Sequence, residues 1–127
     1  IDIYKVGMVW PLARRDALAF VKGKEEVLVV EEKRGIIESQ FKEYFYDWPG
    51  DKPRKMVGKH RAAGDPLIPW TGELTPLMLV PIVAGRLERF FPEEGLVANA
   101  RPHRHPCPRA DSARRDAHTL FLLGLPA

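Results

Sequence analysis

Three segments of the chain carry the pattern of β-strands. Residues 1–10 (IDIYKVGMVW) are rich in β-branched and aromatic side chains and predict a first strand. Residues 27–30 form a continuous apolar run, VLVV, which suits a strand covered on both faces, as in a parallel sheet. Residues 54–60 follow a turn and predict a third strand.

Two segments between these strands have the apolar spacing of helices. Residues 12–22 predict a first helix, with Gly23 as a glycine that ends it. Residues 35–47 predict a second helix because apolar side chains recur at i, i+4, i+7 and i+8. These side chains are Ile37, Phe41, Tyr44 and Phe45.

A third helix is predicted after a loop rich in proline. Thr75 and Pro76 suit the N-cap and first helical positions, and the apolar pattern continues to about residue 91. Pro81 lies inside this segment. A proline in a regular helix interior costs roughly 3 kcal/mol, so a kink or a later start is expected there.

The order β-α-β-α-β with a C-terminal helix predicts an α/β fold with a mainly parallel sheet in a three-layer domain. In this arrangement, residues 1–10 and 27–30 form adjacent parallel strands. The domain is predicted to span residues 1–94. Residues 95–127 form an Arg/Pro/His-rich tail that is expected to be disordered.

The charge of the chain supports this division. The net charge is +3, and residues 1–95 carry 15 basic against 15 acidic side chains. Residues 96–127 carry five Arg against two Asp, which accounts for the whole excess. A nucleic-acid-binding arm is an alternative for the tail, but it lacks Lys and interleaved aromatic residues. We therefore expect no nucleic-acid partner.

Cysteine and histidine usage indicates neither a disulfide framework nor a metal site. Cys107 is the single cysteine. Together with His103, His105 and His118 it provides metal-ligand residue types, but their spacing does not match that of zinc sites. No apolar stretch has the length of a membrane span, and the chain begins as though inside a strand. We expect a cytoplasmic fragment of a longer protein, with no membrane contact.

The candidate site is the charged group that follows the second strand. It consists of Glu31, Glu32 and Lys33, next to Arg34, at the strand end where open parallel sheets often meet ligands. Glu73, at the entry to the third helix, is a further candidate. The alternative is a solvated strand end with carboxylates near a helix N-terminus, where they are favoured. No nucleophile, phosphate-binding loop or cluster-ligand motif is visible.

Three runs of the chain resemble a known enzyme family. They are YKVGMVWPL at 4–12, the whole of 27–60, and PLIPWTGELTP at 66–76. Over roughly residues 1–91 the chain resembles indolepyruvate ferredoxin oxidoreductase, in particular its long single-chain bacterial form. The resemblance implies a domain similar to the transketolase C-terminal domain, located between the two thiamine-binding domains.

What the resemblance implies is oxidative decarboxylation of an aryl 2-oxoacid to its acyl-CoA, with electrons passed to ferredoxin. The family uses thiamine diphosphate, Mg²⁺ and iron–sulfur clusters, and its residues for them lie in other domains. The chain should therefore hold no catalytic, cofactor-binding or metal-binding residue and be inactive alone. Glu31, Glu32, Lys33 and Glu73 would contact the remaining domains. A free-standing α/β protein-interaction module and a basic-tail nucleic-acid binder are the alternatives.

The resemblance ends after about residue 94, where the family continues toward a Cys-Ser-Gly-Cys-Pro-His run. Residues 120–127 (LFLLGLPA), written in GC-rich codons and reread one nucleotide downstream, encode Ser-Phe-Cys-Ser-Gly-Cys-Pro-His. Our hypothesis is a frameshift between about residues 91 and 114. A naturally divergent tail is the alternative.

Overall fold

The computed structural model describes residues 1–61, 63–100 and 121–126. Its elements in chain order are β1 (Asp2–Lys5), α1 (Arg14–Val21), β2 (Lys24–Val30), α2 (Ile36–Tyr46), β3 (Lys55–Val57), α3 (Pro76–Leu87), a 3₁₀ helix (Pro92–Glu94), α4 (Leu96–Asn99) and β4 (Phe121–Pro126). They fall into two compact units. The first contains the sheet with α1 and α2, and the second, from Leu74 onward, contains α3, the 3₁₀ helix and α4.

The sheet is mixed, with the strand order β1-β4-β2-β3. β2 and β3 are parallel, whereas β4 is antiparallel to both β1 and β2. The prediction of a mainly parallel sheet with β1 next to β2 is thereby corrected. β1 and β2 do run in the same direction, but β4 lies between them. Pairing between segments so distant in the chain leaves no periodic signal, although residues 121–125 (FLLGL) have the apolar content of a strand.

Both crossovers step across the sheet in the same direction, from β1 to β2 and from β2 to β3. Because such crossovers are almost always right-handed, both helices are expected on one face. The packing agrees, since a single buried cluster contains residues of the sheet and of both helices. Its members include Val27, Val29, Leu122, Ala17, Val21, Ile37 and Phe41. Helices on the opposite face, as a three-layer domain requires, stay a prediction.

The apolar stripe predicted for α2 is confirmed. Ile37 and Phe41 are fully buried. Tyr44 and Phe45 are half-buried and pack against the same cluster. The rings of Phe41 and Phe45 are 5.6 Å apart, and Phe45 stacks on Trp48 at 5.9 Å. This stripe fixes the rotation of α2 and directs the first turn of the helix toward the ends of β2 and β3.

Several predicted boundaries shift. β1 ends at Lys5, before the predicted end at residue 10, and the turn that follows contains a cis Trp10–Pro11 peptide bond. Gly23 follows α1 with φ +69°, in the left-handed region predicted for a helix-ending glycine. α3 starts at Pro76 as predicted, continues through Pro81 and ends at Leu87, before the predicted end near residue 91.

The chain after residue 94 is partly regular. Leu96–Asn99 is helical, and Phe121–Pro126 forms β4 in the interior of the sheet. Leu122 and Leu125 of this strand are buried. The composition of residues 95–127 predicts disorder, but these two segments are regular. Residues 101–120, to which most of that prediction applies, lie outside the described residues.

Candidate functional site

Three buried charged side chains meet where β2 and β3 end and α2 begins. Glu31 directly follows β2, Lys59 comes two residues after β3, and Glu38 lies in the first turns of α2. Glu31 and Lys59 are each 1% exposed, and Glu38 is 5% exposed. The parallel pairing of β2 with β3 brings their carboxyl ends to the same edge of the sheet. We call these three residues the Glu31–Glu38–Lys59 cluster.

Glu31 caps helix α2. Its carboxylate accepts hydrogen bonds from the backbone N–H groups of Ile37, at 2.9 Å, and Glu38, at 3.2 Å. The residue at the N-cap position itself is Gly35, which has no side chain to do this. The negative charge therefore lies at the positive end of the helix, where it is stabilising. Glu31 thus ties the end of β2 to the start of α2.

Glu38 uses both oxygens of its carboxylate. One accepts the backbone N–H of Lys59 at 2.9 Å, and the other accepts the ammonium of Lys42 at 2.6 Å. A Cβ on Gly58 would lie 2.6 Å from the carboxylate oxygen Oε2 of Glu38, so any larger residue there would displace this carboxylate. Glu38 thus holds α2 against the chain that leaves β3.

Lys59 extends the network to the loop before α3. Its ammonium donates to the carbonyl of Glu31 at 2.5 Å and to the carbonyl of Pro69 at 2.9 Å. The backbone of the same residue accepts a hydrogen bond from the N–H of Leu67 at 2.8 Å. Lys59 therefore joins the strand end, α2 and the loop 66–70.

Burial shifts the pKa values of the two most deeply placed groups. Removal from water raises the pKa of Glu31 above 4.5, against the opposing effect of its two backbone hydrogen bonds and of Lys59. Removal from water also lowers the pKa of Lys59 below 10.5, and the carboxylates of Glu31, Glu38 and Glu32 oppose this. Among the described residues, every buried side-chain nitrogen and oxygen has a hydrogen-bond partner. The cluster is thus an internally satisfied network, which is typical of a structural role.

The predicted site residues separate into two groups. Glu31 is in the network, and the half-buried Glu32 is close enough to Lys59 to act on its pKa. Lys33 and Glu73 are exposed, and Lys33 has a positive φ of 58°. The carboxylate of Glu31 points inward to α2, where it accepts the N–H of Ile37.

Glu38 and Lys59 are not among the site residues that the sequence predicts. Glu38 is a charged residue next to the buried Ile37 and Phe41 stripe, which is a weak signal in itself. Lys59 follows Gly58, and a glycine at the end of a strand suggests a close approach of another group. The charged Glu38 and the glycine before Lys59 indicate a common site only when α2 and β3 are known to be neighbours.

Each of the two units has a depression on its surface. An open cavity of about 400 Å³ beside the cluster is lined by Glu38, Lys42, Met56, His60, Arg61 and Gly64. An apolar cavity of about 430 Å³ in the second unit is lined by residues of α3 and by Leu96. The first has mixed polar and apolar walls, and Glu38 and Lys42 in its wall already pair with each other.

Within residues 1–61, 63–100 and 121–126, no three His, Cys, Asp or Glu side chains are placed to hold a metal ion together. The ligand-type residues His103, His105, Cys107 and His118 lie outside the described residues. The absence of cofactors from this segment stays a prediction. None of the described helices has the length and apolar character needed to cross a membrane.

Comparison with protein families gives one match. The model described as the indolepyruvate oxidoreductase domain matches residues 1–105, which include every element described above except β4. Neither the curated proteins nor the solved structures give a match. Because the family match spans most of the chain, the protein belongs to the indolepyruvate oxidoreductase domain family.

Proposed function

We propose that this chain is the packing and interface domain of a long single-chain indolepyruvate ferredoxin oxidoreductase and has no turnover of its own. The family match supports a part of an indolepyruvate oxidoreductase. The parent enzyme would oxidatively decarboxylate aryl 2-oxoacids to acyl-CoA in the cytoplasm, with ferredoxin as electron acceptor. Its other domains would be the immediate partners of this one.

One observation carries the proposal: the charged residues at the strand ends bond within the domain. Glu31 and Glu38 each use their carboxylate oxygens on backbone or lysine donors, and the ammonium of Lys59 is bonded to two carbonyls. A general base needs a free proton-accepting atom within reach of substrate, and a general acid needs a proton that it can donate there. These groups are committed to holding β2, α2 and the loop 66–70 together.

The cofactors of the parent enzyme are assigned to the other domains. Thiamine diphosphate with Mg²⁺ and the iron–sulfur clusters need oxygen and thiolate ligand sets, respectively. Among the described residues, no three His, Cys, Asp or Glu side chains are placed to hold a metal ion together, which supports this assignment. No step of the reaction is therefore routed through Glu31, Glu38 or Lys59.

The test is a direct comparison with a complete indolepyruvate oxidoreductase. We expect the purified 127-residue chain to bind no thiamine diphosphate in the presence of Mg²⁺ by calorimetry. We also expect no reduction of a viologen dye with indolepyruvate and CoA, while the complete enzyme reduces the dye. Cofactor binding or dye reduction by the chain alone would overturn the proposal.

A further inference from the structure

The turn between β1 and α1 exposes two large apolar side chains. Met8 is 56% exposed and Trp10 is 69% exposed. Val6 and Leu12, on either side of them, are buried in the core of the first unit. We call residues 7–12 the Trp10 loop. Large apolar side chains displayed in this way are typical of interaction sites when the loop that carries them is ordered.

The backbone of the Trp10 loop is fixed by α2. The amide of Gln40 donates to the carbonyl of Val9 at 2.7 Å and accepts the N–H of Leu12 at 2.7 Å. The hydroxyl of Tyr44 donates to the carbonyl of Leu12 at 2.9 Å. These bonds hold the loop in one conformation before any partner arrives. The entropy cost of ordering it on binding is correspondingly small.

The surroundings of the loop are basic. Lys5, Arg14 and Arg15 are exposed, and the two carboxylates that border this stretch are Asp2, which pairs with Lys24, and Asp16. Residues 3–15 therefore carry three basic and no acidic side chains. The guanidinium of Arg14 lies over the ring of Tyr44, 5.3 Å from its centre, which places this charge beside the base of the loop. Trp, Met and Arg are the side chains enriched at protein interfaces.

We propose that the Trp10 loop is a docking element for another protein domain, and that Trp10 enters an apolar pocket bordered by carboxylates. This inference rests on the proposed function, because the partner is a neighbouring domain of the parent oxidoreductase. Such a pocket would be complementary to the apolar side chains of Trp10 and Met8. Its carboxylates would be complementary in charge to Lys5, Arg14 and Arg15. A membrane surface fits less well, because peripheral membrane binding usually relies on a broad apolar helix face rather than on two side chains.

The experiment uses a complete indolepyruvate oxidoreductase whose matching region is replaced by the whole 127-residue chain, so that β4 is retained in the sheet. Hydroxyl-radical oxidation of Trp10, read by mass spectrometry, is compared between this chimera and the isolated 127-residue chain. We expect Trp10 to react at least about tenfold more slowly in the chimera, since an anchor side chain is fully desolvated. Tyr46, which is 85% exposed on α2, serves as the control and should react at the same rate in both.

The charge complementarity is tested in the same chimera. Arg15→Glu should restore much of the reactivity of Trp10, whereas Lys22→Glu, at the other end of α1, should not. Both side chains are exposed, so neither change disturbs the core. Equal behaviour of the two variants would overturn the carboxylate-bordered pocket.

The outcomes separate this inference from the proposed function. A chimera that cannot oxidise indolepyruvate would overturn the proposed function and the docking site with it. A working chimera in which Trp10 is as reactive as in the isolated chain would overturn the docking site alone. The docking site would also be overturned if vesicles of phosphatidylserine and phosphatidylcholine protected Trp10 of the isolated chain from oxidation while the working chimera showed no protection of Trp10.

Discussion

Glu31 connects a strand end to a helix start, and its removal should be felt in the stability of the first unit. In Glu31→Gln, one of the two backbone N–H groups of α2 loses its acceptor in a buried position. We expect the free energy of unfolding to fall by about 1–3 kcal/mol, the cost of an unsatisfied buried donor. Urea denaturation measures this. The neighbouring Glu32→Gln, half-buried and without such bonds, should change it by less than about 0.5 kcal/mol.

The raised pKa of Glu31 also predicts a pH dependence. Above pH 4.5 the unfolded chain releases this proton, whereas the folded chain keeps it until the higher pKa. The folded state therefore binds more protons in this window, and stability contributed by the group falls as pH rises through it. We therefore expect the difference in the free energy of unfolding, natural chain minus Glu31→Gln, to decline when it is measured from pH 4 upward. A difference that rises over the same window would contradict the burial argument.

Residue-level inference from the sequence located the strand end but not the hydrogen bonds that Glu31 makes there. Glu31 stands out because it follows an apolar strand, yet a strand end can direct a carboxylate to solvent or to the next helix. Here the buried backbone N–H groups at the start of α2 attract the carboxylate, because Gly35 has no side chain to cap them. Glu38 and Lys59 could not be paired from sequence, since their 2.9 Å bond depends on Gly58 and on the approach of α2 to β3.

Among the elements, β4 has the strongest predicted effect on stability. Leu122 lies in the buried cluster, opposite Tyr4 on one side and Val29 on the other. Leu122→Ala should lower the free energy of unfolding by about 2–5 kcal/mol, as for other buried leucines. Leu123→Ala, on the opposite face and only half-buried, is the matched control and should cost less. Equal effects in urea denaturation would argue against β4 as an interior strand.

Local patterns predicted most elements but not their arrangement. The stripe of α2, the apolar run of β2 and the proline start of α3 each depend on neighbours in the chain. The position of β4 depends on hydrogen bonds to β1 and β2, which are about a hundred residues away. The crossover rule still applied, because β1 and β2 keep the same direction with β4 between them.

At the scale of the whole chain, β4 lies outside the residues that match the family. The match ends at residue 105, whereas β4 begins at Phe121. If the tail is an out-of-frame product, the apolar segment β4 occupies a position between β1 and β2 that another segment would fill in the family. The gene should then contain, one nucleotide out of frame, codons for a Cys-Ser-Gly-Cys-Pro-His run that overlap those for residues 120–127. Sequencing the gene checks this, and a shifted frame without that run would support a divergent tail instead.

The chain on its own should self-associate, because apolar side chains are exposed in both units. α3 is apolar around most of its circumference, with Leu77 69% exposed and Val80 46% exposed. The single charged residue of this helix, Arg86, is buried. A helix with this composition is usually covered on all sides. We expect the sedimentation coefficient to rise with protein concentration in analytical ultracentrifugation, and Leu77→Glu with Val80→Glu to weaken the rise. Tyr46→Glu, at an exposed position of α2, controls for added charge alone. A single monomeric species at every concentration would mean that these surfaces are not interfaces, and the proposal of a packing domain would lose its physical basis.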